Sequence, residues 1–119
     1  MMDSNPLPEC PDSPNCERTQ IIIETYPDDI TQTISDVLVS MNAHEINVEN
    51  ENRISAVFRI PVFGWKDDVD ILIEDDEQNG RQVIYLRSAS RTGYSDLGVN
   101  KRRLARFIRM ISREVTVAS

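Results

Sequence analysis

The chain is short of almost everything that specialised chemistry uses. Its 119 residues include two cysteines, one histidine, four glycines and one tryptophan. Two cysteines and His44 cannot complete the four-ligand set of a structural zinc site, so no metal is expected. The glycines form no phosphate-cradling loop, and neither HExxH nor CxxC spacing occurs, so no cofactor is called for. No apolar run approaches the length of a membrane-spanning helix, and the N-terminus lacks the basic, apolar, small-residue order of a signal peptide. The chain therefore reads as soluble: cytoplasmic as it stands, and exported or in the envelope if a leader has been removed. There is no internal repeat or low-complexity tract. At this length one domain is expected, burying roughly two-thirds of its unfolded surface around its own core.

Charge is plentiful but uneven. The formal net charge of −7 opposes general binding to nucleic acid or anionic membrane. Residues 1–80 carry 18 acidic and 4 basic side chains, a balance of −14, whereas residues 81–119 carry 2 and 9, a balance of +7. Either the basic end folds against the acidic part and is neutralised there, or a cationic stripe is left for an anionic partner.

Residues 1–19 hold four of the six prolines and no periodicity, and read as an irregular arm ordered only where it docks; residues 20–119 form the domain. Within the arm, Cys10 and Cys16 bracket CPDSPNC, which fits free thiols, a short-loop disulfide or a redox or metal role. Ile21, Ile22 and Ile23 suit a first strand. Ile30, Ile34, Val37, Leu38 and Met41 share one face of a 3.6-residue period behind Asp28 and Asp29, which predicts a helix. From His44 the period becomes two: Ile46 and Val48; Ile54, Ala56, Phe58 and Ile60; Val69, Ile71 and Ile73; then Val83 to Ser90 after an Asn79-Gly80 hairpin turn. A last helix is expected over about 100–115, with Leu104, Ile108, Ile111 and Val115 inward and Arg102, Arg106, Arg109 and Arg113 outward. Strand, helix, four strands, helix implies an α+β fold, an antiparallel sheet of about five strands with two helices on one face.

The candidate chemistry is concentrated in Arg87 to Arg103. Arg87 and Arg91 share a strand face and precede Ser90, Tyr94 and Ser95 and a helix start bearing Lys101, Arg102 and Arg103. Cations at the positive end of a helix dipole each cost about 0.3–1 kcal/mol unless an anion offsets them. Guanidinium forks, hydroxyls and helix-start amides are the parts of a phosphate or carboxylate site. The competing expectation is an internal network in which Asp67, Asp68 or Asp96 supplies the anion. Asp67 and Asp68 are adjacent on a strand and point to opposite faces, so they form no acid/base pair; one is expected to anchor an arginine and the other to be solvated. No serine has a base partner suggested by spacing, and His44 reads as a solvated edge histidine, so no catalytic residue is assigned. The outward arginines lack an aromatic stacking platform, which disfavours nucleic acid. Phe63, Gly64 and Trp65 form an apolar bend expected to close one end of the core, the alternative being an exposed hydrophobic patch.

Cys10-Pro11, Ser13-Pro14-Asn15-Cys16, Asp67-Asp68-Val69 and the run from Arg87 through Asn100 resemble the family catalogued as domain of unknown function 1499, small bacterial and plastid proteins. The resemblance spans nearly the whole chain. It implies no activity, substrate or cofactor; it does imply an envelope location, from which this sequence departs in showing no leader. The element order also resembles the TATA-binding-protein and helix-grip topology, which conveys no function. The expected role is a non-enzymatic binding or structural module whose Arg-rich surface holds a small anionic ligand or an anionic partner protein. The alternative is a small-molecule enzyme using Arg87, Arg91, Tyr94 and Asp96.

Overall fold

Four strands that follow one another through turns must lie side by side, and the element order leaves the helices to cover one face. The computed structural model describes residues 5–11, 15–25, 27–61, 64–91 and 98–118. Its elements are β1 (Cys16–Thr25), α1 (Ile30–Ser40), β2 (Glu45–Asn50), β3 (Arg53–Arg59), β4 (Lys66–Asp76), β5 (Arg81–Ser90), α2 (Val99–Ile111) and β6 (Thr116–Val117). The six strands form one antiparallel sheet in the order β2-β3-β4-β5-β1-β6. Helix α1 packs over β2 and β3, α2 over β5 and β1, and the two helices touch. No described helix is long and apolar enough to cross a bilayer.

The α+β class is the one expected, with one strand more. Helix α2 ends at Ile111 rather than near Val115, because the amides of Glu114 and Val115 both turn back to the Ile111 carbonyl. Val115 is still buried, but beyond the helix, and Thr116 and Val117 then pair with the free edge of β1. A run of β-branched residues suits that extended path better than a further helical turn. Strand β1 also begins earlier than expected, at Cys16 within the stretch read as irregular. Its first half alternates polar residues whose partners are supplied by β5, such as Glu17 opposite Ser88, so hydrophobic periodicity is silent there.

The core lies between the sheet and the helices. Ile54, Ile71, Ile73, Ile84 and Leu86 of the sheet meet Ile34 and Leu38 of α1 and Leu104, Phe107 and Ile111 of α2. Asp29 caps α1 by accepting from the Gln32 amide at 3.0 Å, and Asn42, with φ of 65°, ends it in the left-handed conformation. At the β4–β5 hairpin Gly80 has φ of 65°, which a side chain would strain. Trp65 is 38% exposed, so it follows the alternative of an exposed apolar side chain rather than core closure; it precedes the first paired row of β4, at the margin of the sheet. Phe63 lies outside the described residues.

The arm is anchored on the sheet face away from the helices. Arg18 donates through Nη1 to the carbonyls of Asn5 (3.2 Å) and Leu7 (2.8 Å), and Arg87 donates through Nε to that of Pro8 (2.9 Å). Leu7 is buried outside the main core, and a Cys10–Cys16 disulfide joins the arm to the start of β1. Closing so short a loop removes about 2 kcal/mol of unfolded-chain entropy. The double substitution Cys10→Ser, Cys16→Ser should therefore lower unfolding free energy by about that amount in urea melts, with increased proteolysis within residues 5–11.

Candidate functional site

The helix-facing side of the sheet changes character along its length. Rows of Ile54, Ile71 and Leu86 give way to Ala56, Val69 and Ser88, and then to Phe58, Asp67 and Ser90. Asp67 is in phase with Val69, Ile71 and Ile73, so the pleat carries its carboxylate inward with them. Asn100 is likewise in phase with Leu104, Phe107 and Ile111 on α2. Among the described residues the buried polar ones are Asn15, Asp67, Ser88 and Asn100, and all four meet beneath the first turn of α2.

Their bonds form one network. Ser88 Oγ donates to Asn100 Oδ1 (2.5 Å), and Asn100 Nδ2 donates to Ser90 Oγ (3.1 Å) and to the Asn15 carbonyl (3.0 Å). Arg103 reaches in from α2, its Nη1 donating to Asn100 Oδ1 (2.8 Å) and Ser88 Oγ (3.1 Å). The same Nη1 is 2.8 Å from Asp67 Oδ2, in side chains only 10% and 1% exposed. That nitrogen has two protons, and both are directed at Asn100 and Ser88. Asp67 is thus held by charge, and neither of its oxygens receives a well-directed hydrogen bond. The Arg103 guanidinium also lies over Phe58, 4.7 Å from the ring centroid. Its Nε and Nη2 donate to none of the described residues.

A cleft of about 270 Å³ opens over this network, lined by Met41, Phe58, Val99, Arg102, Arg103 and Arg106. Helix α2 starts after Gly98, with φ of 82°, and has neither a side-chain cap nor an acid in its first turn. A Cβ on Gly98 would meet Arg102 Nη1 at 3.0 Å, so glycine serves both the turn and that contact. Lys101 and Arg102 are exposed. Among the described residues Lys101, Arg106, Arg109 and Arg113 enter no ion pair.

Arg87 and Arg91 are on the other side of the sheet. Arg91 grips Asp68 through both Nε and Nη2, each at 2.9 Å, while Arg87 holds the arm. Both adjacent aspartates therefore pair with arginine, rather than one alone: strand alternation sends each to a face that carries a guanidinium. The single surface expected from Arg87 to Arg103 is divided by the sheet, because Arg87 and Arg91 alternate with the inward-facing Ser88 and Ser90. Tyr94, Ser95 and Asp96 lie outside the described residues. Asn100, Phe58 and Arg106 were not singled out from sequence as site residues; the inward phase of Asn100 was the available signal.

On that open face Asp70 sits opposite Arg87 at the floor of a trough also lined by Glu45, Glu49 and Asp68. Burial raises its carboxyl above the usual range, against the opposing pull of Arg53 and Arg87.

The fold and the network define an α+β domain whose helix layer is fixed to its sheet by a buried Arg–Asp pair and a set of amide and hydroxyl bonds. The family model described as "Protein of unknown function (DUF1499)" matches residues 6–111, and the chain belongs to that family. No match was found among curated proteins or among solved structures.

Asp67→Ala would leave the Arg103 charge buried without its counter-ion and should cost about 3–5 kcal/mol in denaturant melts, whereas Asp68→Ala, at a half-exposed pair, should change stability little. For Asp70 the folded pKa lies above the unfolded one, so the ionised form opposes folding above the folded pKa and this cost disappears as pH falls toward 3.8. Asp70→Asn should accordingly raise the melting temperature at pH 7, and the gain should shrink on titration to pH 4.

Proposed function

We propose that the protein is a non-enzymatic binding module that holds an anionic group, free or carried by a partner protein, at the start of α2. The observation that supports this most directly is the convergence of Arg102, Arg103 and Arg106 on one cleft at the positive end of a helix with no acid in its first turn. Arg103 is the anchor of that group, since Ser88, Asn100 and Asp67 fix its position before any ligand arrives. An anion there offsets the helix dipole and the exposed charge of Lys101 together. The enzyme reading around Arg87 and Arg91 has less support, because those two guanidiniums are engaged by the arm and by Asp68.

Phosphate and sulfate titrated against a chloride control at matched ionic strength should raise the melting temperature, by roughly 5–8 °C at tenfold excess over Kd. Arg106→Ala, at an exposed position, should reduce that rise while leaving the unliganded melting temperature nearly unchanged. Equal curves for phosphate and chloride would remove the reading.

A further inference from the structure

The helix-start cleft is not lined by charge alone, and this gives its occupant a second property. Three of its six lining residues, Met41, Phe58 and Val99, are apolar, and they come from three different elements or their ends. Phe58 and Met41 are otherwise buried, so an edge of the core itself forms part of the wall. A bare inorganic anion would leave that apolar wall facing water.

The orientation of Arg103 says how an anion would be held. Its side chain is nine-tenths buried and stacked on Phe58, and Nη1 is directed inward at Ser88 and Asn100 beside Asp67. What remains is the edge made by Nε and Nη2, two parallel donors that engage none of the described residues. The protein uses that same edge elsewhere: Arg91 grips the Asp68 carboxylate through Nε and Nη2 at 2.9 Å each. Arg103 thus presents, in a fixed position beside an apolar wall, the donor pair that binds a planar or tetrahedral oxyanion side-on.

Resting on the anion-binding reading above, we infer that the ligand of this cleft is a small amphiphilic oxyanion, a carboxylate or phosphate monoester bearing a short hydrocarbon body. The head group is taken by the Nε–Nη2 edge of Arg103, with Arg102 and Arg106 flanking it, and the hydrocarbon rests on Phe58, Met41 and Val99. A volume of about 270 Å³ suits a body of a few carbons rather than a long acyl chain.

Matched pairs test this: acetate against hexanoate, and inorganic phosphate against hexyl phosphate, followed by calorimetry and by the arginine Nε–H signals of the full chain. The tailed member of at least one pair should bind about tenfold or more tighter than its bare head group, as expected if two of the added methylenes are buried. The Arg103 Nε–H resonance should shift, and Arg106→Ala should weaken binding; the responsive pair identifies the head group. If head groups bind but tails add nothing, the amphiphile is excluded and the anion reading stands. If no compound binds, both are excluded. Tail-dependent binding that neither moves the Arg103 signal nor responds to Arg106→Ala would place the ligand elsewhere and overturn the inference.

Discussion

One nitrogen, Nη1 of Arg103, meets two hydrogen-bond acceptors and a counter-ion on three elements, and the relation of the helix layer to the sheet depends on it. Ser88 belongs to β5, Asp67 to β4 and Asn100 to α2 itself, so the guanidinium joins two strands to the helix start. Withdrawing a carboxylate and a guanidinium from water is expensive, and their attraction returns that cost only with good geometry and further hydrogen bonds. Here the further bonds go to the arginine. The aspartate keeps a close counter-ion but lacks directed donors, which makes it the more exposed of the two to loss of its partner. A lysine in place of Arg103 would carry the charge without the planar fork that meets Ser88 and Asn100 while lying flat on Phe58.

The polar layer also explains where the hydrophobic core stops. From Ile73 toward Asp67 along β4, inward positions run Ile, Ile, Val, Asp, and on β5 they run Ile84, Leu86, Ser88, Ser90. An apolar row at the Asp67 position would let α2 slide along the sheet with little penalty, since apolar contacts are not directional. A row of hydrogen-bonding groups accepts one placement, in which Asn100 meets both serines and the Asn15 carbonyl. Because Asn15 precedes Cys16 directly, the same bonds tie the end of the disulfide loop to the helix. The two sides of the sheet are thereby held to the arm's attachment point.

Much of the architecture was legible in alternation and helical spacing. Period two placed Asp67 and Asp68 on opposite faces and grouped Ser88 and Ser90 with Ile84 and Leu86, all as observed. What could not be read was which charges would meet. The sequence run from Arg87 to Arg103 is continuous, yet strand alternation turns Arg87 and Arg91 away from the helix layer, whereas Arg103 belongs to that layer and points down onto the opposite face of the sheet. Proximity in sequence was a poor guide there. Phe58 and Met41 were read correctly as inward, but a core residue at the edge of a cleft carries the same periodicity as one at the centre, so their second role left no mark. The early start of β1 was silent for a related reason: its partners on β5 are polar, and alternation without hydrophobic contrast carries no signal.

The net charge of the chain is a weak guide to what its cationic cleft can hold. Acidic groups gather at the far end, where Asp28, Asp29, Glu51, Glu74 and Asp75 line a broad depression. Glu74 is seven residues along β4 from Asp67, about 23 Å at the rise of a strand. That is nearly three Debye lengths at physiological ionic strength, so those carboxylates contribute little to the potential felt by a small anion at Arg102, Arg103 and Arg106. Asp67, the carboxylate beneath the cleft, is opposed by Arg103. Arg106, which enters no ion pair among the described residues, therefore adds local positive charge to the dipole of α2. An extended polyanion would have to pass the acidic end as well, whereas a small ligand would not; the charge that opposes nucleic acid is compatible with a small anionic occupant.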